Sequence, residues 1–338
     1  MLDRYSRQIL FRKIGKEGQK KLSEGSVVVI GCGGLGSIIA TTLVRAGVGR
    51  VRVVDRDIIE YHNLHRQILF TEDDVRSHLP KAVAAERHLK KANSSVEVQG
   101  IVADVNYANV EKLIAGADVV LDGLDNPETR FIINDAALKL KIPWIYGSAV
   151  SATGRTMNII PGQTPCFRCL FPTVPPKGIL PTCDTAGVIG PAPFIIGSIQ
   201  STEAMKILLG APAVNRDMIV VDLWEGTFNH FKVSSRPDCP ACHGNYEFLT
   251  PQLGIRTTVL CGQNSVQVQD PKVASISLPE LAKRLDKMGK VTLKKSILRF
   301  SVDNHEVVIF PDGRIILRES LDEALARELY VKFIEAKA

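Results

Sequence analysis

At 338 residues the chain exceeds one ordinary domain and can bury a substantial core, so one large domain with additions is expected. Hydrophobic residues make up 45% and charged residues 23%, which is ordinary for a soluble globular protein. The net charge of +6 is mild and its Lys and Arg are spread along the chain, which argues against a nucleic-acid footprint and leaves an acidic protein partner compatible.

The N-terminal stretch Arg4-Tyr5-Ser6-Arg7-Gln8 leads into a short helix from Gly15 to Leu22. A β-branched run, Val27 to Ile30, is followed by Gly31-Cys32-Gly33-Gly34-Leu35-Gly36, an apolar helical run to Gly47 and a second run, Val51 to Asp55. Strand, glycine turn, helix and strand make one βαβ unit, whose loop sits where nucleotides bind in open α/β sheets. Each glycine has its own task. Gly31 permits the tight turn, Gly33 lets backbone approach a phosphate, and Gly36 lets the helix pack closely on the strand. Asp55 ends the second strand, where a carboxylate can take ribose hydroxyls.

A long polar loop, Asp57 to Gln67, stands where a plain Rossmann half would turn quickly into a helix, and such loops commonly carry function. Pro80-Lys81 opens a helix to about Lys91, which places the Lys81 ammonium near the glycine loop. Strands at Val96 to Val102 and Asp118 to Asp122, with a helix from Asn106 to Ala115 between them, continue the alternation of a parallel sheet. After Asp122 comes Gly123-Leu124-Asp125-Asn126-Pro127, leading into a helix to about Lys141. Asp125 or Asn126 reads locally as an N-cap, and the same position suits a Mg²⁺ ligand facing phosphates. Trp144 to Ser148 is the next strand.

From Gly154 the pattern turns to hairpin-like strands, with Arg155 to Ile160 the first, and reaches Cys166-Phe167-Arg168-Cys169. A Pro-rich loop, Pro172 to Pro181, ends at Thr182-Cys183-Asp184 and reads as exposed. An apolar helix spans Ile195 to Leu209, and strands Met218 to Leu223 and Thr227 to Val233 precede Cys239-Pro240-Ala241-Cys242. The tail from Pro251 has its own pattern. Strands near Thr257 to Leu260 and Val266 to Gln269, a helix from Pro279 to Met288, a hairpin of Leu298 to Val302 and Glu306 to Phe310, a strand from Arg314 to Leu317 and a closing helix from Leu321 make a small α+β appendix. Nothing in it looks catalytic.

No run of 18 apolar residues exists, and the best candidate, Gly187 to Ile199, carries Pro191 and Pro193. No membrane partner and a cytoplasmic location are therefore expected. Seven cysteines, including two CxxC pairs, suggest metal or redox chemistry in a reducing compartment. Cys166, Cys169, Cys239 and Cys242 have the knuckle spacing of a tetrahedral Zn²⁺ site, with redox pairs or independent buried thiols as the alternatives. Four thiolates leave no open position, so such a zinc would be structural. Cys32 is expected to be packed inside the glycine loop.

Taken together, Arg4-Tyr5-Ser6-Arg7-Gln8, Gly31 to Ser37, Asp55-Arg56-Asp57, Asn63-Leu64-His65-Arg66-Gln67, Pro80-Lys81, Asp125-Asn126 and the two CxxC pairs resemble the ThiF/MoeB/HesA family, relatives of ubiquitin-activating enzymes. The resemblance covers residues 3 to 248. The segment Thr258 to Asn264 and the tail's length look like the extended ThiF-type members. The fold it implies is a Rossmann-like, mostly parallel sheet with helices on both faces and a zinc-bound crossover region. In domain terms, residues 1–250 form an ATP-binding adenylation domain and residues 251–338 a small α+β domain of unknown role.

The family implies ATP-dependent adenylation of the C-terminal glycine carboxylate of a small ubiquitin-fold sulfur carrier, ThiS-like or MoaD-like, with a diglycine end, for thiamine or molybdenum-cofactor biosynthesis. Carried over by motif, Gly34 lines the phosphate turn, Asp55 holds the ribose, and Asn63, Arg66 and Lys81 contact phosphates. Asp57 and Gln67 belong to the same nucleotide-binding motifs. Asp125 binds Mg²⁺ and Asn126 lines the site. Arg7 reaches the active site of a neighbouring subunit, which implies a homodimer. Cys183 matches a cysteine tied in some members to covalent capture of the activated carrier or its sulfur, and a structural loop thiol is the competing reading. No rhodanese-like domain is evident, so a separate sulfur donor protein is expected. Activation of a ubiquitin-like modifier or of a peptide C-terminus stays open. More distant readings are a noncatalytic zinc-stabilised module and an NAD-dependent oxidoreductase, which would leave Arg66, Lys81, Asp125 and the knuckles without a task.

Overall fold

The computed structural model describes residues 4–176, 179–250, 255–260, 264–273, 275–294, 297–302 and 305–335. The chain divides into two compact units, residues 1–250 and residues 251–338. The first holds strands β1 (Ser26–Ile30), β2 (Arg50–Asp55), β3 (Glu97–Val102), β4 (Val119–Asp122), β5 (Trp144–Val150), β6 (Thr153–Ile159), β7 (Met218–Asp222) and β8 (Thr227–Phe231). Its helices are α1 (Ser6–Leu10), α2 (Gly15–Glu24), α3 (Gly34–Ala46), α4 (Glu72–Arg76), α5 (Lys81–Ala92), α6 (Val110–Ile114), α7 (Pro127–Leu140), α8 (Phe167–Leu170), α9 (Cys183–Ala186) and α10 (Pro191–Leu209).

The strands form one sheet in the order β3-β2-β1-β4-β5-β6-β7-β8. β1 to β5 run parallel, and β6, β7 and β8 extend the sheet as antiparallel neighbours. This is the expected mostly parallel α/β sheet. β1 is buried along its whole length, because a central parallel strand is covered on both faces. One core packs α3, α5 and α10 on one face of the sheet, through Leu35, Ile39, Leu43, Leu89, Ile196 and Ala204. The opposite core packs α6 and α7, with Phe131, Ile133, Trp144 and Phe167 at its centre. Among the described residues no helix is long and apolar enough to cross a membrane.

Boundaries differ from the sequence reading in ways that have causes. α10 begins at Pro191, one turn before Ile195, because Pro191 and Pro193 sit in the first turn, where no N–H is needed. The helix read from Asn106 shrinks to Val110–Ile114, since Asn106 Oδ1 accepts from the Ala108 N–H and Asn109 Oδ1 from the Asn106 N–H, which favours turns over helix.

The second unit holds a six-stranded antiparallel sheet, β11-β12-β13-β14-β10-β9, built from β9 (Arg256–Leu260), β10 (Ser265–Gln269), β11 (Lys290–Lys294), β12 (Ile297–Val302), β13 (His305–Ile309) and β14 (Ile315–Leu317). Helices α11 (Leu278–Leu285) and α12 (Glu323–Tyr330) cover one face through Leu281, Leu285, Leu329 and Tyr330. Cys261 and the adjoining Gly262 and Gln263 lie outside the described residues.

Candidate functional site

Strand order reverses between β1 and β4, the topological switch point at which doubly wound sheets bind ligands. The turn after β1 adopts φ +86° at Gly31, whose N–H donates to Val54 O at 2.7 Å and ties it to β2. A Cβ on Gly36 would stand 1.9 Å from Gly31 O, so the first turn of α3 sits on the strand end with no room for a methyl group. Gly36→Ala is therefore expected to destabilise the first unit by about 3 kcal/mol, the upper end for overpacked cores, read as an earlier urea unfolding midpoint. A Cβ on Gly34 would lie 3.1 Å from Pro193, so the first turn of α10 roofs the glycine turn.

Charged groups gather at the ends of β2 and α5. Asp55 is buried and accepts from the Cys32 N–H at 2.6 Å and the Asp57 N–H at 2.7 Å. Burial pushes its carboxyl up, against the pull of Lys81. Lys81 is buried at the start of α5, with Nζ 2.9 Å from Asp57 Oδ2. Burial works against its charge, but Asp57 and Asp55 outweigh it and hold the ammonium above the ordinary lysine range. Arg56 pairs with Asp104 at 2.9 Å and lies 3.7 Å from Asp57. Cys32 is wholly buried, and burial beside Asp55 keeps its thiol protonated.

The polar loop after β2 makes a second wall. Glu60 and Asn63 form a reciprocal capping box, which commits Asn63 Oδ1 to the Glu60 N–H. Asn63 O then accepts from the Arg66 and Gln67 N–H groups and fixes both residues. Arg66 donates from Nη1 to His62 O at 2.8 Å, and its Cγ is 3.7 Å from the place a Cβ on Gly34 would take. Gln67 is buried, its Nε2 lies 3.7 Å from a Cβ built on Gly33, and its Oε1 has no hydrogen-bond partner among the described residues.

From β4 comes Asp125, exposed, with no hydrogen bond or ion pair among the described residues. Its charge reaches Lys81, Arg56 and Arg130. Asn126 is the N-cap of α7: its side chain accepts from the Thr129 N–H at 3.0 Å, with Pro127 at the first helical position. Sequence reasoning gave no role to Asp122 and Arg130, which form a buried pair at 2.8 Å. Arg130 Nη2 also donates to Leu124 O and Gly147 O, so it clasps the turn that presents Asp125. An aspartate ending the strand and an arginine in the first helical turns were the only sequence signal.

Cys183 needs a correction. It is half-buried in a capped helical turn, not in an exposed loop, and Thr182 and Thr185 cap that turn reciprocally. The loop lies close enough to the other walls that Asp125 and Arg66 both act on the thiol. Burial, Asp125 and Asp184 hold it above the ordinary thiol range, and Arg66 and Arg130 only partly offset them. The thiolate fraction at neutral pH is thus below that of a free cysteine. Alkylation of Cys183 by iodoacetamide should rise with pH only above the usual thiol range, and Asp125→Asn should move that rise to lower pH. Equal profiles in both proteins would contradict the charge placement.

The four knuckle cysteines meet. Their sulfur atoms all lie within 4.8 Å of one another, with Cys166 Sγ 3.8 Å from Cys169 Sγ and 3.5 Å from Cys239 Sγ, and Cys169 Sγ 3.6 Å from Cys242 Sγ. Zn–S bonds of about 2.3 Å in a tetrahedron place sulfurs about 3.8 Å apart, so this donor set fits zinc. Asn134 and Asp135 of α7 accept from the N–H groups of Phe167 and Phe248, which fastens the cluster to the helix that carries Arg130.

The structure thus brings Gly31, Gly33, Gly34, Gly36, Asp55, Asp57, Asn63, Arg66, Gln67, Lys81, Asp125, Asn126 and Cys183 to one edge of the sheet. It does not bring Arg7 there. Arg7 is exposed on α1, which is anchored by Tyr5 against Gly47 and by Gln8 on Ala46 O. Those anchors are at the far end of α3, about 20 Å from the glycine turn by the length of a 13-residue helix.

Comparison with known proteins agrees with this geometry. The ThiF family model matches residues 5–241. The sulfur carrier protein ThiS adenylyltransferase of Bacillus subtilis is 42% identical across 99% of this chain and 100% of that protein. The SAMP-activating enzyme E1 of Haloferax volcanii is 41% identical across 71% of this chain and 88% of its own. The structure of E. coli MccB with ATP superposes with a TM-score of 0.62 at 25% identity, covering 71% of this chain and 74% of that one.

Proposed function

The chain belongs to the ThiF family, and from that premise we propose that it uses ATP to adenylate the C-terminal glycine carboxylate of a small ubiquitin-fold sulfur carrier, releasing pyrophosphate. The observation that carries this reading is the meeting of the glycine turn, Arg66, Lys81 and an uncommitted Asp125 at the switch point of the sheet. A carboxylate attacking the α-phosphorus needs no strong base. It needs negative charge neutralised on a polyphosphate and its two reactants held in line.

In this assignment the N–H groups at the start of α3, with Gly31, Gly33, Gly34 and Gly36 giving the backbone room, take the phosphates. Arg66 and Lys81 neutralise them, and the neutral amide of Asn63 contacts them. Asp55 accepts from ribose hydroxyls, and the unpartnered Gln67 Oε1 is a buried acceptor for a donor on the adenosine. Asp125 would hold Mg²⁺, which when bound spreads the phosphate charge, and Asn126 keeps the turn beside it in place. Cys166, Cys169, Cys239 and Cys242 would hold a structural Zn²⁺. Arg7 would complete the site of a second copy in a homodimer, consistent with its distance from its own glycine turn.

The relative matched along the whole chain, tail included, acts on ThiS by its name, which favours a ThiS-like carrier and thiamine biosynthesis over a MoaD-like one. A separate protein would supply the sulfur, and a cytoplasmic location fits that supply. Cys183 is proposed to act after adenylation: its sulfur would attack the carrier's acyl-adenylate carbonyl to form a thioester, with AMP as the leaving group and the thiol proton passing to solvent. The test mixes the chain with ATP, Mg²⁺ and purified diglycine-ended carriers and reads their masses. One carrier should gain the mass of AMP, and a carrier panel without any adduct or pyrophosphate exchange would reject the reading.

A further inference from the structure

Among its contacts, Asp57 makes three that tie it to Asp55 and to Lys81. Its N–H donates to Asp55 Oδ1 at 2.7 Å, its carbonyl accepts the Lys81 N–H at 2.8 Å, and its Oδ2 takes Lys81 Nζ at 2.9 Å. The flanking backbone repeats the tie, with Ile58 bridged to Pro80 and the Ile59 N–H donating to Leu79 O. Lys81 is thus gripped at its backbone and at the far end of its side chain by one residue.

We propose that Asp57 is a positioning residue: it fixes the Lys81 ammonium beside the glycine turn and acts on the nucleotide only through that lysine. This rests on the nucleotide reading above. The side chain of Lys81 is 7% exposed, and that of Asp57 24%. A buried ammonium without a partner loses its proton or turns to water. The groups that face Lys81 are Asp55 at the end of β2, Asp57 on the loop after it, Cys32 in the glycine turn and Asp125 after β4. Asp55 is committed to two backbone N–H groups, and Asp125 is the proposed Mg²⁺ ligand. Arg56, 3.7 Å from Asp57, is already paired with Asp104. Asp57 is therefore the carboxylate placed to hold Lys81 whether or not a nucleotide is bound.

The test compares wild type, Asp57→Asn, Lys81→Gln and the double variant. Competitive acetylation with acetic anhydride, read by peptide mass spectrometry at pH 9, reports the uncharged fraction of Lys81 without any substrate. Asp57→Asn should raise Lys81 acetylation roughly tenfold, the effect of moving its titration by one pH unit. In ATP–pyrophosphate exchange, Asp57→Asn should raise KM for ATP roughly tenfold. In the Lys81→Gln background the same change should alter exchange by less than about twofold, since residues acting as one unit are not additive. Equal Lys81 acetylation in wild type and Asp57→Asn, or losses that multiply in the double variant, would overturn the proposal. Failure of the nucleotide reading looks different: wild type itself shows no exchange, and the acetylation arm still decides the role of Asp57. Should Asp57→Asn not fold, Asp57→Glu decides. It keeps the charge one methylene away, so KM for ATP should still rise, and an unchanged KM would overturn the proposal.

Discussion

Arg66→Ala should lower kcat/KM for carrier-dependent ATP–pyrophosphate exchange by about 30- to 1,000-fold, equivalent to about 2–4 kcal/mol of lost transition-state stabilisation. The size follows from what the other cations at the site are doing. Lys81 is paired with Asp57, Arg56 with Asp104, and Arg130 with Asp122. Arg66 has no carboxylate partner among the described residues, and its guanidinium donates to the carbonyl of His62. It can meet a phosphate without first giving up an ion pair. Its backbone is held by Asn63 O, which leaves the side chain as the adjustable part. Arg66→Lys keeps the charge but loses the planar fork, so it should recover only part of the rate. Melting of the Arg66→Ala protein should stay near wild type, because no buried partner is stranded. Near-normal exchange in Arg66→Ala would remove this residue from the site.

Much of this site is legible in the sequence, for reasons that differ by residue. The glycine turn and Asp55 could be read because a βαβ unit puts strand, turn, helix and acid in a fixed order along the chain. Lys81 could be placed at the right edge from Pro80, a helix opener, though its burial and its grip by Asp57 could not. The pair Asp122–Arg130 was invisible because it joins a strand end to a helix across a turn, and neither residue looks unusual locally. Cys183 was misread as exposed because its partial burial comes from β5, where its thiol reaches Ala149 O, a contact distant in sequence that no local pattern marks. In the tail, β11 went unread because Lys290 and Lys294 frame it: charged ends suit an edge strand and blur the apolar alternation.

Cys239→Ser should abolish zinc binding and lower the melting midpoint of the first unit by about 8–16 °C. Structural zinc sites yield about 10–16 kcal/mol in peptides that have no other core. Here the cluster lies against Phe167, Trp144 and Phe131, so part of the fold survives its loss. A remaining contribution of about 4 kcal/mol converts to that melting shift for a unit of this size. Cys239 is the sharper choice because it is fully buried, whereas Cys242 is exposed. A buried hydroxyl in place of a thiolate leaves three close sulfurs without their shared cation. The damage should travel. Asn134 and Asp135 tie the knuckles to α7, and α7 is capped by Asn126 and carries Arg130 beside Asp125. Loosening that helix should raise KM for ATP before it abolishes exchange. Metal analysis by mass spectrometry should give one zinc per wild-type chain and none in Cys239→Ser. A metal-free wild type that melts at the same temperature as the loaded protein would mean that the four cysteines are packed thiols and nothing more.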